Sequence, residues 1–167
     1  MEEESKLIIL RGNSGSGKST TGKALQRKFG QGTMVISQDV VRREMLFVND
    51  GPNTEAAKLL LELAQYGKSH CNIVILEGIL NSKWYRKLFE NLLKEFNDNI
   101  FAYYFDIPFE ETLNRHKQKP NSHEFGEKEM RRWWNENDLL NIIPEVCLNK
   151  ELSLNEIVEK IYEDVTK

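Results

Sequence analysis

The residues Gly12-Asn13-Ser14-Gly15-Ser16-Gly17-Lys18-Ser19-Thr20 carry the densest chemistry in the chain. They fit the pattern G-x-x-x-x-G-K-[ST]. Three glycines allow a tight wrap in which successive backbone N–H groups point inward at an anion. A helix beginning near Lys18 adds its positive N-terminal end. Lys18 suits the β- and γ-phosphates of a nucleoside triphosphate, and the Ser19 hydroxyl suits Mg²⁺. The competing reading is a flexible Gly/Ser turn that happens to hold a lysine. The flanks argue against it: an apolar run, Leu7-Ile8-Ile9-Leu10, precedes the loop, and the proline-free stretch Thr21 to Phe29 follows it. Strand, glycine-rich loop and helix is the context that gives the pattern structural meaning.

Phosphoryl transfer to a hydroxyl needs a carboxylate near the acceptor and cations around the transferred group. Asp39 and Arg42 stand i, i+3 and share one helical face. Asp39 suits a general base, and Arg42 suits steadying an anionic substrate or the leaving phosphate. The alternative is a surface pair between Asp39 and Arg42 or Arg43. Glu77 closes an apolar strand beside Gly78, so its carboxylate must meet water, a metal or a cation. It suits substrate or the surroundings of Mg²⁺. Asp106 ends another strand, and Pro108 after it favours a helix-capping role. Arg115, His116, Lys117 and Lys119 form a basic cluster before a polar loop. Arg115 and Lys119 suit closure over phosphates, whereas Lys117 reads as solvated. Nothing pairs His116 or His123 with a nucleophile. Trp133 and Trp134 point about 100° apart on a helix; packing is their expected use, with stacking on a flat ligand the alternative.

The elements that must position these groups follow from periodicity and punctuation. Short apolar runs predict strands at Leu7–Arg11, Thr33–Ser37, Asn72–Leu76 and Ile100–Asp106, with a weaker one at Pro144–Leu148. Between them lie helices at Lys18–Phe29, Gln38–Phe47, after Thr54, at Tyr85–Phe96, Phe109–Lys117 and Glu127–Trp134, and after the capping box Ser153-Leu154-Asn155-Glu156. Gly30-Gln31-Gly32 stops the first helix. Alternating strands and helices imply an α/β fold with a parallel sheet covered on both faces, where ligands meet the carboxyl ends of the strands. That rule collects Gly12–Lys18, Ser37–Arg42, Glu77–Gly78 and Asp106 around one phosphate.

The 167 residues suit a single domain, 1–167, with a lid around 115–126. A net charge of −3 gives no global basic field toward nucleic acid. The apolar runs are far shorter than the roughly 20 residues of a membrane span. Met1-Glu2-Glu3-Glu4 is the opposite of a secretory n-region, and Cys71 and Cys147 read as ordinary thiols, so the expected compartment is the cytoplasm.

Gly12–Thr20, Asp39-Val40-Val41-Arg42, and Arg115 with Lys119 after Phe105-Asp106-Ile107-Pro108 together resemble the small P-loop kinases of the AAA_33 and zeta-toxin-like group. The nearest parallel is the kinase domain of polynucleotide 5′-hydroxyl kinases. Glu77-Gly78-Ile79-Leu80 is similar to a segment of uridine-cytidine kinases. The resemblance covers roughly Leu7 to Lys119. It implies a three-layer fold with a five-stranded parallel sheet in the order 2-3-1-4-5, and it implies ATP and Mg²⁺ as cofactors. It further implies Asp39 as base, Arg42 as substrate-binding arginine, and Arg115 with Lys119 as lid cations. Lys119 stands where the family pattern has an arginine, and lysine lacks the bidentate fork. The expected activity is transfer of the γ-phosphoryl group of ATP to a hydroxyl of a small molecule or nucleoside. The alternatives are a 5′-hydroxyl polynucleotide kinase acting on a nucleic acid 5′ end, and a regulatory P-loop ATPase or toxin-type kinase.

Overall fold

A computed structural model describes residues 3–120 and 122–167. Met1 and Glu2 of the acidic N-terminus, and Asn121 of the polar loop, lie outside the described residues. The elements run β1 (Lys6–Gly12), α1 (Lys18–Phe29), β2 (Thr33–Ser37), α2 (Gln38–Val40), a π-helical turn (Val41–Leu46), α3 (Glu55–His70), β3 (Ile73–Gly78), α4 (Arg86–Phe96), β4 (Ile100–Asp106), α5 (Phe109–Lys117), α6 (Glu127–Trp133), β5 (Glu145–Asn149) and α7 (Leu154–Thr166).

The five strands form one sheet in the order β2-β3-β1-β4-β5. All four pairings are parallel. This is the order the resemblance implies. Side chains alternate across β1 as the pleat requires. Leu7 and Ile9 join the core with Leu60 of α3 and Leu88, Phe89 and Leu92 of α4. Ile8 and Leu10 join the opposite core with Leu25 of α1 and Ile157 and Ile161 of α7. α3 sits close because Gly67 offers no Cβ; one built there would lie 2.9 Å from Met34 Sδ.

Two boundaries differ from the sequence reading in ways that matter. β3 continues through Glu77 and Gly78, which stay in register with Leu10 and Arg11 of β1. The helix expected at Gln38–Phe47 makes only one α-turn before widening. The Arg42 carbonyl accepts both Phe47 N–H and Val48 N–H, and Phe47 closes the turn in the left-handed region at φ 54°. Such wide turns are uncommon and concentrate at functional sites.

Arg11 follows the apolar run of β1, and the alternation points it into the core of α4. It is fully buried. Its Nη1 donates to both carboxylate oxygens of Glu145 (3.1 and 2.9 Å), its Nη2 to Asp138 Oδ2 (2.9 Å), and Nε and Nη2 to the Leu80 carbonyl. The guanidinium also lies 5.7 and 5.6 Å from the ring centroids of Phe89 and Tyr104. A buried cation needs all of these partners to offset its desolvation. Arg11→Met strands two carboxylates and is expected to lower unfolding stability by ~3–5 kcal/mol in urea titrations. Lys58→Ala removes only an exposed pair with Glu55 and is expected to change it by under ~1 kcal/mol. Equal effects would show that the Arg11 network contributes nothing beyond a surface pair.

Candidate active site

The loop between β1 and α1 turns because its glycines occupy conformations that side chains resist. Gly15 has φ 80° and Gly17 has φ 103°. A Cβ on Gly15 would also lie 2.7 Å from the Thr112 carbonyl, so α5 packs directly on the loop. α1 starts immediately after Gly17, which places its free N–H groups at the loop. Lys18 is buried, and its Nζ donates to the Asn13 carbonyl (2.8 Å) and to Ser16 Oγ (3.3 Å). Burial lowers its pKa to about 8, against the opposing pull of Glu77.

Glu77 is 4 % exposed, which its position inside β3 explains. Its Oε1 accepts the Ser19 hydroxyl at 3.1 Å. A hydroxyl and a carboxylate side by side are the hard oxygen donors that Mg²⁺ prefers. Among the described residues, no cluster of three or more His, Cys, Asp or Glu is arranged to hold a metal. A pair of protein oxygens still suits Mg²⁺, which takes most of its ligands from phosphates and water.

Asp39 and Arg42 come together as the spacing predicts, with Arg42 Nη2 3.2 Å from Asp39 Oδ1. Arg43 adds its Nε at 3.2 Å from the same oxygen. Arg42 Nη1 also donates to the Val48 carbonyl (3.4 Å), tying it to the end of the wide turn. Asp39 remains largely exposed at the mouth of the site.

Arg115, near the end of α5, reaches the loop. Its Nη1 donates to the Ser16 carbonyl at 2.9 Å, while Nε holds Glu111 at 3.1 Å. Lys119 lies one turn further. Partial desolvation lowers its pKa; Glu77 pulls the other way, and repulsion from Arg115 adds to the lowering. Lys18, Glu77, Asp39, Arg115 and Lys119 thus feel one another's fields. A cleft of about 480 Å³ opens beside Gly17, between Thr20 and Thr21 on one side, Arg115 and Lys119 above, and Leu152 and Leu154 opposite.

Several sequence candidates have other occupations. Asp106 does not cap α5: the cap position is Pro108, and no side-chain cap bond forms. An exposed Asp106 two residues upstream of Pro108 leaves the helix start to the backbone. His116 is buried, stacks on Phe125 at 4.3 Å between centroids, and bonds the Phe125 carbonyl at 2.6 Å. His123 is exposed in the polar loop. Both tryptophans are half-buried and packed: Trp133 on Phe125, and Trp134 edge-on to Phe109 with its Nε1 donating to Glu136.

Sequence reasoning places Asn13 in the phosphate loop but misses its partner Asn135, and it misses Gln38, Tyr85 and Asp138 as groups that shape the site. Gln38 points inward; its Nε2 donates to Tyr85 Oη (2.8 Å) and Asp50 Oδ2 (3.1 Å), and its Oε1 accepts the Leu80 N–H (3.1 Å). Gly78 leaves room for it. Tyr85 in turn donates to Asp50 at 2.6 Å, and burial first, then Asp50, raises its pKa. Asn13 exchanges two hydrogen bonds with the Asn135 main chain. Asp138 holds Ser82 as well as Arg11. The one sequence signal for any of these is Arg11, a charge that ends the apolar run of β1 inside the strand and therefore demands acidic partners.

A family model described as an AAA domain, AAA_33, matches residues 7–136. The APS kinase of Mycobacterium tuberculosis, solved in complex with AMPPNP and APS, superposes with a TM-score of 0.72 at 18 % identity, covering 99 % of this chain and 100 % of that one. Shikimate kinase from Acinetobacter baumannii, solved with shikimate, gives 0.62 at 18 % identity, covering 98 % and 94 %. A gluconokinase from Sinorhizobium meliloti gives 0.61 at 15 % identity, covering 99 % and 93 %. At these identities the likeness is one of fold, that of the small P-loop kinases. No curated protein matches the sequence.

Proposed function

The chain belongs to the AAA_33 family, and from that premise we propose that it is an ATP-dependent kinase transferring the γ-phosphoryl group to a hydroxyl of a small molecule or nucleoside. One observation carries this reading. Glu77, in β3 and bonded to Ser19, and Asp39, just after the adjacent β2, lie within electrostatic reach of Lys18 and Lys119, beside a loop built for phosphates. A surface pair accounts for the contacts of Asp39 with Arg42 and Arg43; the field of Asp39 reaching Lys18 and Lys119 is what favours a carboxylate in the chemistry.

The roles follow from position. The amides of Gly12, Asn13, Ser14, Gly15, Ser16 and Gly17, with Lys18, hold the phosphates. Ser19 and Thr20 open α1 against them, with Ser19 and Glu77 the protein oxygens for Mg²⁺. When bound, Mg²⁺ would supply positive charge against the charge that develops on the phosphates, and Ser19 and Glu77 are the residues that would hold it. The cleft beside Gly17, with Leu152 and Leu154 on its wall, suits the base and ribose. Asp39 accepts the acceptor's hydroxyl proton, and Arg42 orients the acceptor. Arg115 and Lys119, on a lid around 115–126, draw in on the transferred group. The chain works as one domain. Two free thiols, half-buried Cys71 and exposed Cys147, and an ATP-dependent reaction fit the cytoplasm. Among the described residues no helix is long and apolar enough to cross a membrane.

The acceptor is tested by incubating the full chain with γ-labelled ATP, Mg²⁺ and a panel of hydroxyl compounds. The panel includes nucleosides, small alcohols and sugars, and a 5′-hydroxyl oligonucleotide. Label on a small molecule or nucleoside is the expected result. Label on the oligonucleotide, falling steeply with salt, would replace this reading with a polynucleotide kinase. Release of phosphate without any labelled acceptor would favour a regulatory ATPase.

A further inference from the structure

The segment that follows Arg115 and carries α6 is fastened to the phosphate loop at both of its ends. At its start, Arg115 Nη1 donates to the Ser16 carbonyl at 2.9 Å. At its finish, the Asn135 N–H donates to Asn13 Oδ1 at 2.8 Å, and Asn13 Nδ2 donates to the Asn135 carbonyl at 2.8 Å. Asn13 is 6 % exposed, and this reciprocal pair uses both polar atoms of its side chain. A pair of antiparallel bonds from one amide fixes orientation as well as distance. The strap beyond Asn135 is itself immobilised. Asn135 Oδ1 accepts Asn81 Nδ2 at 3.2 Å, and Asp138 holds Ser82 and the fully buried Arg11. The strap therefore ties together β1, the β3–α4 connection and the phosphate loop.

We propose that Asn13 is a positioning residue that fixes the C-terminal end of the lid-bearing segment to the phosphate loop, linking phosphate occupancy to the ordering of α6. The inference rests on the nucleotide-binding reading above. A loop drawn tight around phosphates fixes Asn13, Asn13 fixes Asn135, and Asn135 fixes the helix that ends two residues before it. By linkage, whatever the phosphates contribute to ordering α6, an ordered α6 returns to nucleotide affinity. Residues placed through the Asn13 amide need not touch nucleotide for this to work. The side chain of Asn135 is not required either, because its main chain makes both bonds.

The test is amide hydrogen exchange on the full chain with and without AMPPNP and Mg²⁺, with nucleotide Kd measured in parallel. In the unaltered protein, nucleotide is expected to slow exchange at both residues 12–20 and residues 127–134. In Asn13→Ala, slowing at 12–20 persists, slowing at 127–134 disappears, and Kd rises by about 5- to 150-fold, the range of coupling between linked sites. Asn13→Asp keeps the acceptor for the Asn135 N–H but sets a carboxylate oxygen against the Asn135 carbonyl and a negative charge beside the phosphates, so weakened slowing at 127–134, and not Kd, is its readout. It also serves if the alanine variant does not fold. Asn135→Ala loses its side-chain bonds to Asn81 and Trp133 but leaves both main-chain bonds to Asn13, so slowing at 127–134 persists. Slowing at 127–134 that survives in both Asn13 variants overturns the inference, as does slowing confined to 12–20 in the unaltered protein. Exchange that nucleotide leaves unchanged everywhere overturns the nucleotide-binding reading, and the inference with it.

Discussion

Lys18→Ala is expected to reduce phosphoryl transfer by at least about 10²–10³-fold, the usual loss when one preorganised electrostatic contact is removed from a transition state. The expectation is large because Lys18 is both buried and committed. Its ammonium is shielded from water and held by the Asn13 carbonyl and the Ser16 hydroxyl. Burial depresses its pKa to about 8. A bound triphosphate would reverse that depression by supplying the missing counter-charge. Two pH effects follow. The folded pKa lies below the unfolded value, so between about pH 8 and pH 10.5 the unfolded chain binds the extra proton; Lys18 makes stability rise with pH in that window and costs a constant amount below it. ATP affinity runs the other way, falling as pH rises above about 8, because the triphosphate prefers the ammonium. Isothermal titration across pH 7 to 10 checks it through proton uptake on binding. Undiminished transfer by Lys18→Ala would remove the loop from the chemistry.

Asp39→Asn is expected to leave ATP affinity near that of the unaltered protein while lowering turnover by roughly 10²–10⁴-fold, the worth of a general base. The substitution keeps size and one carbonyl oxygen for Arg42 and Arg43, so the surrounding geometry is disturbed little. What it removes is the capacity to take a proton. Lys18 is held by the Asn13 carbonyl and the Ser16 hydroxyl and feels Asp39 through its field, so nucleotide binding is expected to be largely spared. Steady-state kinetics at saturating acceptor, set beside direct ATP binding, separates the two quantities. A kcat within about threefold of the parent would exclude Asp39 as base.

The sequence made the framework legible because its signals are local. Leu7–Leu10 before a glycine-rich loop, the Thr54 and Ser153 caps and the stripe on α4 each depend on residues a few positions apart, and all lie where expected. Asp39 and Arg42 were legible for the same reason: i, i+3 geometry needs no tertiary information. What stayed hidden is long-range and made through main chain or loops. Nothing in Asn13 or Asn135 announces that they meet, since loop residues have no periodicity and an asparagine bonds backbone anywhere. Gln38 reads as the first residue of a helix, which leaves its direction open; it points inward because Gly78, Tyr85 and Asp50 leave a polar socket there. Glu77 looked like the residue after a strand. Its burial came from the strand running two residues further, a boundary that propensity does not fix.

The strand order has a bearing on how the chain acquires its shape. β1, the earliest of the five strands in chain order, pairs with β3 on one side and β4 on the other, and β2 pairs with β3 at the sheet edge. No two neighbours in the sheet are joined by a hairpin. During synthesis β1 and the glycine loop must wait for Ile73–Gly78 before any sheet can begin. Only β4 and β5 remain to be added after that. Closing such distant pairings slows folding relative to local contacts. The nascent chain thus exposes two apolar strands with no partner until β3 emerges, a window in which a chaperone would find its substrate.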